Sequence, residues 1–133
     1  IFDFFPDGFL GGSYTINGLF WYATAFVGTS ITDELQILAK YASSNKPHTR
    51  TTENYTIAAN YLLHKGIFVG ARAEYANTTL IYGDEKFPII NEQYVFYSRI
   101  FLMPYLELIP EYRILETEEY RSSRWAFQLH IYY

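Results

Sequence analysis

No cysteine occurs in this chain, which excludes disulfide staples and thiolate metal sites and suits a compartment facing an oxidising periplasm. Long apolar runs are missing too. Gly, Asn, Thr, Lys, Arg or Glu interrupts every hydrophobic stretch well short of the ~20 residues that a membrane-spanning helix needs. A membrane crossing by this chain must therefore use strands. Strands cross only as a closed barrel, because an open edge leaves backbone groups unpaired in lipid. No Lys/Arg cluster is present and the formal net charge is −4, which argues against nucleic acid as a partner. Residues 1–5 carry neither the basic start nor the apolar core of a signal peptide. Either such a segment has been cleaved or the chain is a piece of a longer one, and the ragged start favours the second.

Aromatic residues are abundant: 14 Tyr, 11 Phe and 2 Trp in 133 residues. Tyr and Phe favour pleated, half-buried surfaces, and Tyr suits a membrane–water boundary, where the ring is buried and the hydroxyl stays wet. One small soluble core would struggle to hide so many rings.

Period-2 alternation recurs along the chain and is the primary structural signal. Near the end, Trp125, Phe127, Leu129, Ile131 and Tyr133 form one face, and Ala126, Gln128, His130 and Tyr132 the other. The same pattern predicts strands over residues 33–42, 54–64, 67–76, 94–102 and 105–116. Residues 19–27 are apolar on both faces, and residues 1–16 hold one or two further strands. Connections alternate in length. Residues 29–32, 64–66 and 103–104 read as tight turns, and residues 43–53, 77–92 and 116–123 as long polar loops. Asn17 and Gly18 belong on the long-loop side, within an ill-defined segment beginning near Gly11. Short turns on one side and long loops on the other describe an outer-membrane barrel.

The expected fold is therefore all-β: a single domain over residues 1–133, forming an antiparallel up-and-down transmembrane barrel of about eight strands or the C-terminal part of a larger one. A soluble barrel alternates as well, with its apolar face inward. Against it stands the 18% content of charged residues, below the ~25% usual for soluble domains. The polar face is also interleaved with Ala, Gly and Thr, which suits a lumen better than a solvated surface. Tyr41, Tyr55, Tyr75, Tyr94, Tyr112 and Tyr133 sit near strand ends, where an aromatic girdle would lie.

The final ten residues, from Arg124 to Tyr133, resemble the C-terminal assembly signal of bacterial outer-membrane barrels, with alternating apolar positions and a terminal aromatic residue. The usual last residue in that class is Phe, so Tyr133 departs from it. Residues 18–41 resemble a late hairpin of porins, including the phosphate-selective type. These resemblances cover roughly a quarter of the chain. They imply a bacterial outer-membrane location, contact with outer-membrane lipid and lipopolysaccharide, and engagement of the barrel-insertion machinery through the last strand. An oligomer or a larger membrane complex is compatible with them.

The polar face supplies the candidate functional residues: Lys40, Asn60, Arg72, Glu74, Arg99, Glu107, Glu111, Arg113 and Gln128. In a wide barrel these groups line a water-filled passage and set ion preference. In a narrow barrel they plug the interior as an internal ion-pair network. The leading functional expectation is a porin-like channel for passive diffusion of small polar or ionic solutes. The alternative is a small closed barrel with a structural, adhesive or partner-scaffolding role. No catalytic residue, metal site or cofactor is expected. His48, His64 and His130 share no ligand spacing, and for Ser122 and Ser123 near Glu118 and Glu119 the nearest His, His130, lies well down the next strand.

Overall fold

The computed structural model describes residues 8–132. They form one antiparallel sheet in which each strand pairs with the next along the chain. The strands are β1 (Gly8–Asn17), β2 (Phe20–Ser30), β3 (Leu35–Lys46), β4 (Arg50–His64), β5 (Ile67–Tyr82), β6 (Glu85–Met103), β7 (Leu106–Thr117) and β8 (Arg121–Ile131). The fold is all-β and up-and-down, with no helix among the described residues. β1 and β8 form the two edges and do not pair with each other among those residues, so the sheet is a curled wall that is not closed.

Strand parity collects four turns at one end, the distal end (residues 18–19, 47–49, 83–84 and 118–120). The other three lie at the proximal end (31–34, 65–66 and 104–105). Local chemistry makes these turns. Gly83 takes φ +64° in the two-residue link between β5 and β6, a conformation in which a side chain is strained. Thr32 and Thr117 each accept backbone N–H bonds three residues on, from Leu35 and from Tyr120, both at 3.1 Å.

The structure corrects the three long loops. Residues 43–53 are mostly strand, with Ser43 opposite Glu53 and Asn45 opposite Thr51. Residues 77–92 form a ladder from Asn77–Ile90 to Tyr82–Glu85. Glu116 opposite Arg121 extends the last hairpin in the same way. An alternation rule stops where the two faces cease to differ: residues 43–53 are polar on both faces and hold three β-branched Thr, whereas the β5–β6 extension carries apolar groups (Leu80, Ile81, Phe87, Ile89 and Ile90) on both. They pair as strands all the same, through the backbone ladder and β-branched side chains that suit a pleated surface. Gly11, the expected start of an ill-defined segment, lies inside β1, and Thr29 and Ser30 belong to β2. The expectations for residues 1–7 and for Tyr133 fall outside the described residues.

Residues paired directly across an antiparallel ladder share a face, so the registers sort every side chain. One face carries the rows Leu10–Val27–Ala39–Ile57–Ala73–Tyr94 and Tyr112–Trp125. Its large apolar groups are open to the surroundings, with Phe127 at 70%, Leu129 at 58% and Ile57 at 56% exposure. On the other face lie Ala58, Val95, Glu107, Ile109 and Glu111, all buried, although among the described residues no second layer covers the sheet. In a single curled sheet, burial of this kind marks the concave side. Among the described residues, Ser43 is the one buried side chain on the outer face.

Aromatic rings cover glycines on the concave face. Tyr97 lies over Gly70, its direct cross-strand partner, and Phe26 lies over Gly11 in the same way. A Cβ at either glycine would run into the ring. The ring replaces the missing side chain and lets the strand bend beneath it.

Candidate functional site

All nine candidate residues fall on the concave face. β3 supplies Lys40, β4 Asn60, β5 Arg72 and Glu74, β6 Arg99, β7 Glu107, Glu111 and Arg113, and β8 Gln128. Period 2 explains the pairs within a strand, since residues i and i+2 share a face. Arg113 donates from Nε to Glu111 Oε2 at 2.8 Å. Arg72 Nε lies 2.8 Å from Glu74 Oε1 as a close ion pair, without the alignment of a hydrogen bond.

The largest assembly forms near the proximal end, around the β6–β7 turn. Glu107 is fully buried there. Its Oε1 accepts from Arg99 Nε at 2.6 Å, and its Oε2 accepts from the Tyr132 hydroxyl at 2.6 Å. His130 Nδ1 lies 3.3 Å from the same Oε2. The Arg99 guanidinium also sits over the Phe101 ring, 5.6 Å from its centre. Three strands therefore converge on one carboxylate, and the partners satisfy both of its oxygens. Burial of Glu107 requires this, because an uncompensated carboxylate out of water costs several kcal/mol.

Elsewhere on this face the polar groups are looser. The Tyr97 hydroxyl donates to Asn60 Oδ1 from two strands away. Gln128 sits opposite Ile109, and Lys40 lies between Phe26 and Thr56. Sequence reasoning had not included Tyr97, Tyr132 or Arg124 among the candidates. Arg124 stands directly opposite Arg113 across the β7–β8 ladder. The available signal was period 2, since Arg124, Gln128, His130 and Tyr132 are all an even number of residues apart, which puts all four on the polar face of the last strand.

The outer face is organised differently. Tyr41, Tyr55 and Tyr75 form one cross-strand row, with ring centres 5.0 and 6.2 Å apart. Tyr94 and Tyr112 follow on β6 and β7, one and two face positions nearer the proximal end. Carboxylates lie just distal to these rings. The Tyr41 hydroxyl donates to Glu53 at 3.3 Å, and the Tyr94 hydroxyl to Glu92 at 3.0 Å. Proximal to the tyrosines the outer face carries apolar side chains and no charge on β3, β4, β5, β7 and β8.

The histidines do not assemble. His48 occupies the distal turn between β3 and β4, His64 ends β4, and His130 lies on β8. Among the described residues, no group of three or more His, Asp or Glu is placed to hold a metal ion. Comparison of the chain with protein-family models, curated proteins and solved structures returned no match.

Proposed function

We propose that this chain builds the wall of an outer-membrane β-barrel channel through which small polar or ionic solutes diffuse. The observation that carries the reading is the inverted polarity of the sheet. Its convex face is a continuous apolar surface below a row of tyrosines, and its concave face holds the ion pairs. A soluble protein leaves exposed apolar patches of only a few hundred Å². Lipid is the solvent that makes such a convex face favourable, and a wet lumen suits the concave one. The span from Tyr55 to Leu63 on β4 matches the ~9–11 residues that a tilted strand needs to cross a bilayer.

In this reading the distal end faces outside the cell and the proximal turns lie in the periplasm. The tyrosine row meets the outer headgroups and lipopolysaccharide, and the last strand is read by the barrel-insertion machinery. Lys40, Arg72 and Arg99 contribute to the field along the passage. A closed barrel with a structural, adhesive or scaffolding role is the second reading. The self-satisfied cluster on Glu107 favours it, since such a network can also fill a narrow interior.

Reconstitution into planar bilayers separates the two. The channel reading expects steady conductance, and a shift of cation/anion preference in Arg72→Glu with folding nearly intact. A silent wild type, together with an Arg72→Glu variant that loses a few kcal/mol of stability, would reject the channel for the second reading. Failure to partition into detergent would reject both.

A further inference from the structure

Sorting the charges by face reverses their sign. The formal net charge of the whole chain is −4. Among the described residues, the registers put seven cations on the concave face: Lys40, Lys46, Arg50, Arg72, Arg99, Arg113 and Arg124. Four carboxylates share that face, Glu74, Glu85, Glu107 and Glu111. Arg72, Arg99 and Arg113 each hold one of them in an ion pair, and such pairs are close to neutral at a distance. Among the described residues, Lys40, Lys46, Arg50 and Arg124 form no ion pair. The fourth carboxylate, Glu85, stands at the distal tip of β6, two strands away from Arg50. The wall itself is therefore cationic. Much of the negative charge lies instead in the turns, at Asp33, Glu34, Asp84, Glu118 and Glu119. Turn charges face bulk water, where physiological salt screens them beyond roughly 8–10 Å.

Three of the unpaired cations mark out one strip of the wall. Lys46 and Arg50 stand directly opposite each other at the distal tip of β3 and β4, where like charges repel. Below them Ser44 faces Thr52, Ala42 faces Asn54 and Lys40 faces Thr56. A cavity of about 330 Å³ opens on this strip, lined by Lys40, Ser44, Thr52, Asn54 and Thr56. Glu74 borders it as well, but its charge is already met by Arg72 at 2.8 Å. Both β3 and β4 place no carboxylate on this face. The neutral groups between the cations can donate. Ser44 and Thr52 can turn their hydroxyl protons toward an anion. The Thr56 hydroxyl donates to Asn54 Oδ1 at 3.1 Å, which leaves the amide NH₂ group for another acceptor. Six residues of extended strand separate Lys46 from Lys40, roughly 20 Å. An anion thus meets two cations at the rim, neutral donors below them and a third cation at the floor. We propose that the passage selects small anions, inorganic or carboxylate, and that this strip of β3 and β4 is their path. The inference rests on the channel reading and names its substrate class. Spaced, exposed cations raise the local anion concentration without holding one ion tightly, as conduction requires.

Reversal potentials in planar bilayers across a potassium chloride gradient test it. The wild type should pass chloride in preference to potassium. Lys46→Glu combined with Arg50→Glu should reverse the sign of that preference, and Lys40→Gln should reduce it without reversal. Lys86→Glu makes the same kind of charge change on the convex face and should leave the preference unaltered. The chloride-35 line width of the folded, detergent-solubilised protein reads the same cations without conductance. It should narrow in the Lys46, Arg50 double variant. Loss of the gel mobility shift on heating identifies a double variant that fails to fold. Lys46→Gln with Arg50→Gln then reads the same pair, with the preference weakened instead of reversed. A preference for potassium, or a chloride preference that the folded double variant leaves in place, overturns the proposal and leaves the channel standing. A silent wild type sinks the channel. Line broadening that the double variant removes would then keep the strip as an anion site, and equal line widths would overturn that too.

Discussion

The two faces of this sheet are built from the same strands and obey opposite rules. On the convex face, side chains are large, apolar and open, and neighbouring residues in a row, such as Ala39, Ile57 and Ala73, meet only through dispersion contacts. On the concave face, charges are drawn into pairs and the deepest one, Glu107, has every oxygen satisfied. A soluble sheet would put the apolar groups on the concave side. The comparison teaches that curvature, more than composition, decides which solvent each face needs.

The sharpest way to break the comparison is a charge in the middle of the convex face. Ile57→Arg should cost about 2–4 kcal/mol of folding stability in lipid vesicles, measured by urea titration. Near-zero cost would mean that the face meets water. The concave face predicts an asymmetry next. Arg99→Ala leaves a fully buried carboxylate short of its strongest partner and should cost about 1.5–3 kcal/mol. Glu107→Ala leaves Arg99, whose side chain is 46% exposed and can rehydrate, so its loss should be smaller. Equal losses from the two variants would contradict the burial of Glu107.

A third test concerns how the concave face bends. Gly70→Ala places a Cβ against the Tyr97 ring, and overpacking of this kind should cost about 1–2 kcal/mol. Shrinking the ring in a Gly70→Ala, Tyr97→Ser double variant should recover part of that loss, and strict additivity would show that the two do not act together. The smallest expected effect returns to the convex face. Glu53 lies just distal to the tyrosine row on the same strand as Ile57, and Glu53→Arg should change stability by less than about 1 kcal/mol. A cost as large as that of Ile57→Arg would erase the boundary drawn at the tyrosines.

Much of this was legible in the chain. Alternation in residues 54–64 and 67–76 located the cores of β4 and β5 and assigned Asn60, Arg72 and Glu74 to one face, because period 2 is a property of the backbone. The same rule truncated β5 and β6. Asn77, Thr78 and Thr79 interrupt the period, and Leu80–Tyr82 and Phe87–Ile90 are apolar on both faces, so the tall distal hairpin showed no alternation and read as a loop. The ion pairs divide in the same way. Arg72–Glu74 and Glu111–Arg113 lie two residues apart and are visible by inspection, whereas the partners of Glu107 come from the two neighbouring strands, Arg99 on β6 and His130 and Tyr132 at the end of β8.

The sequence alone determined the element type, the six strands after Thr32 and the two-sidedness of the sheet, because these follow from local period and from the turn residues between apolar runs. Only the tertiary structure decided which face curves inward, which carboxylate is buried, and that hydroxyls of β3 and β4 meet Tyr22 and Glu74 around one cavity. Those outcomes depend on cross-strand register and curvature. Register is set by pairing over the whole ladder, and a shift of one residue would turn each of these side chains to the opposite face.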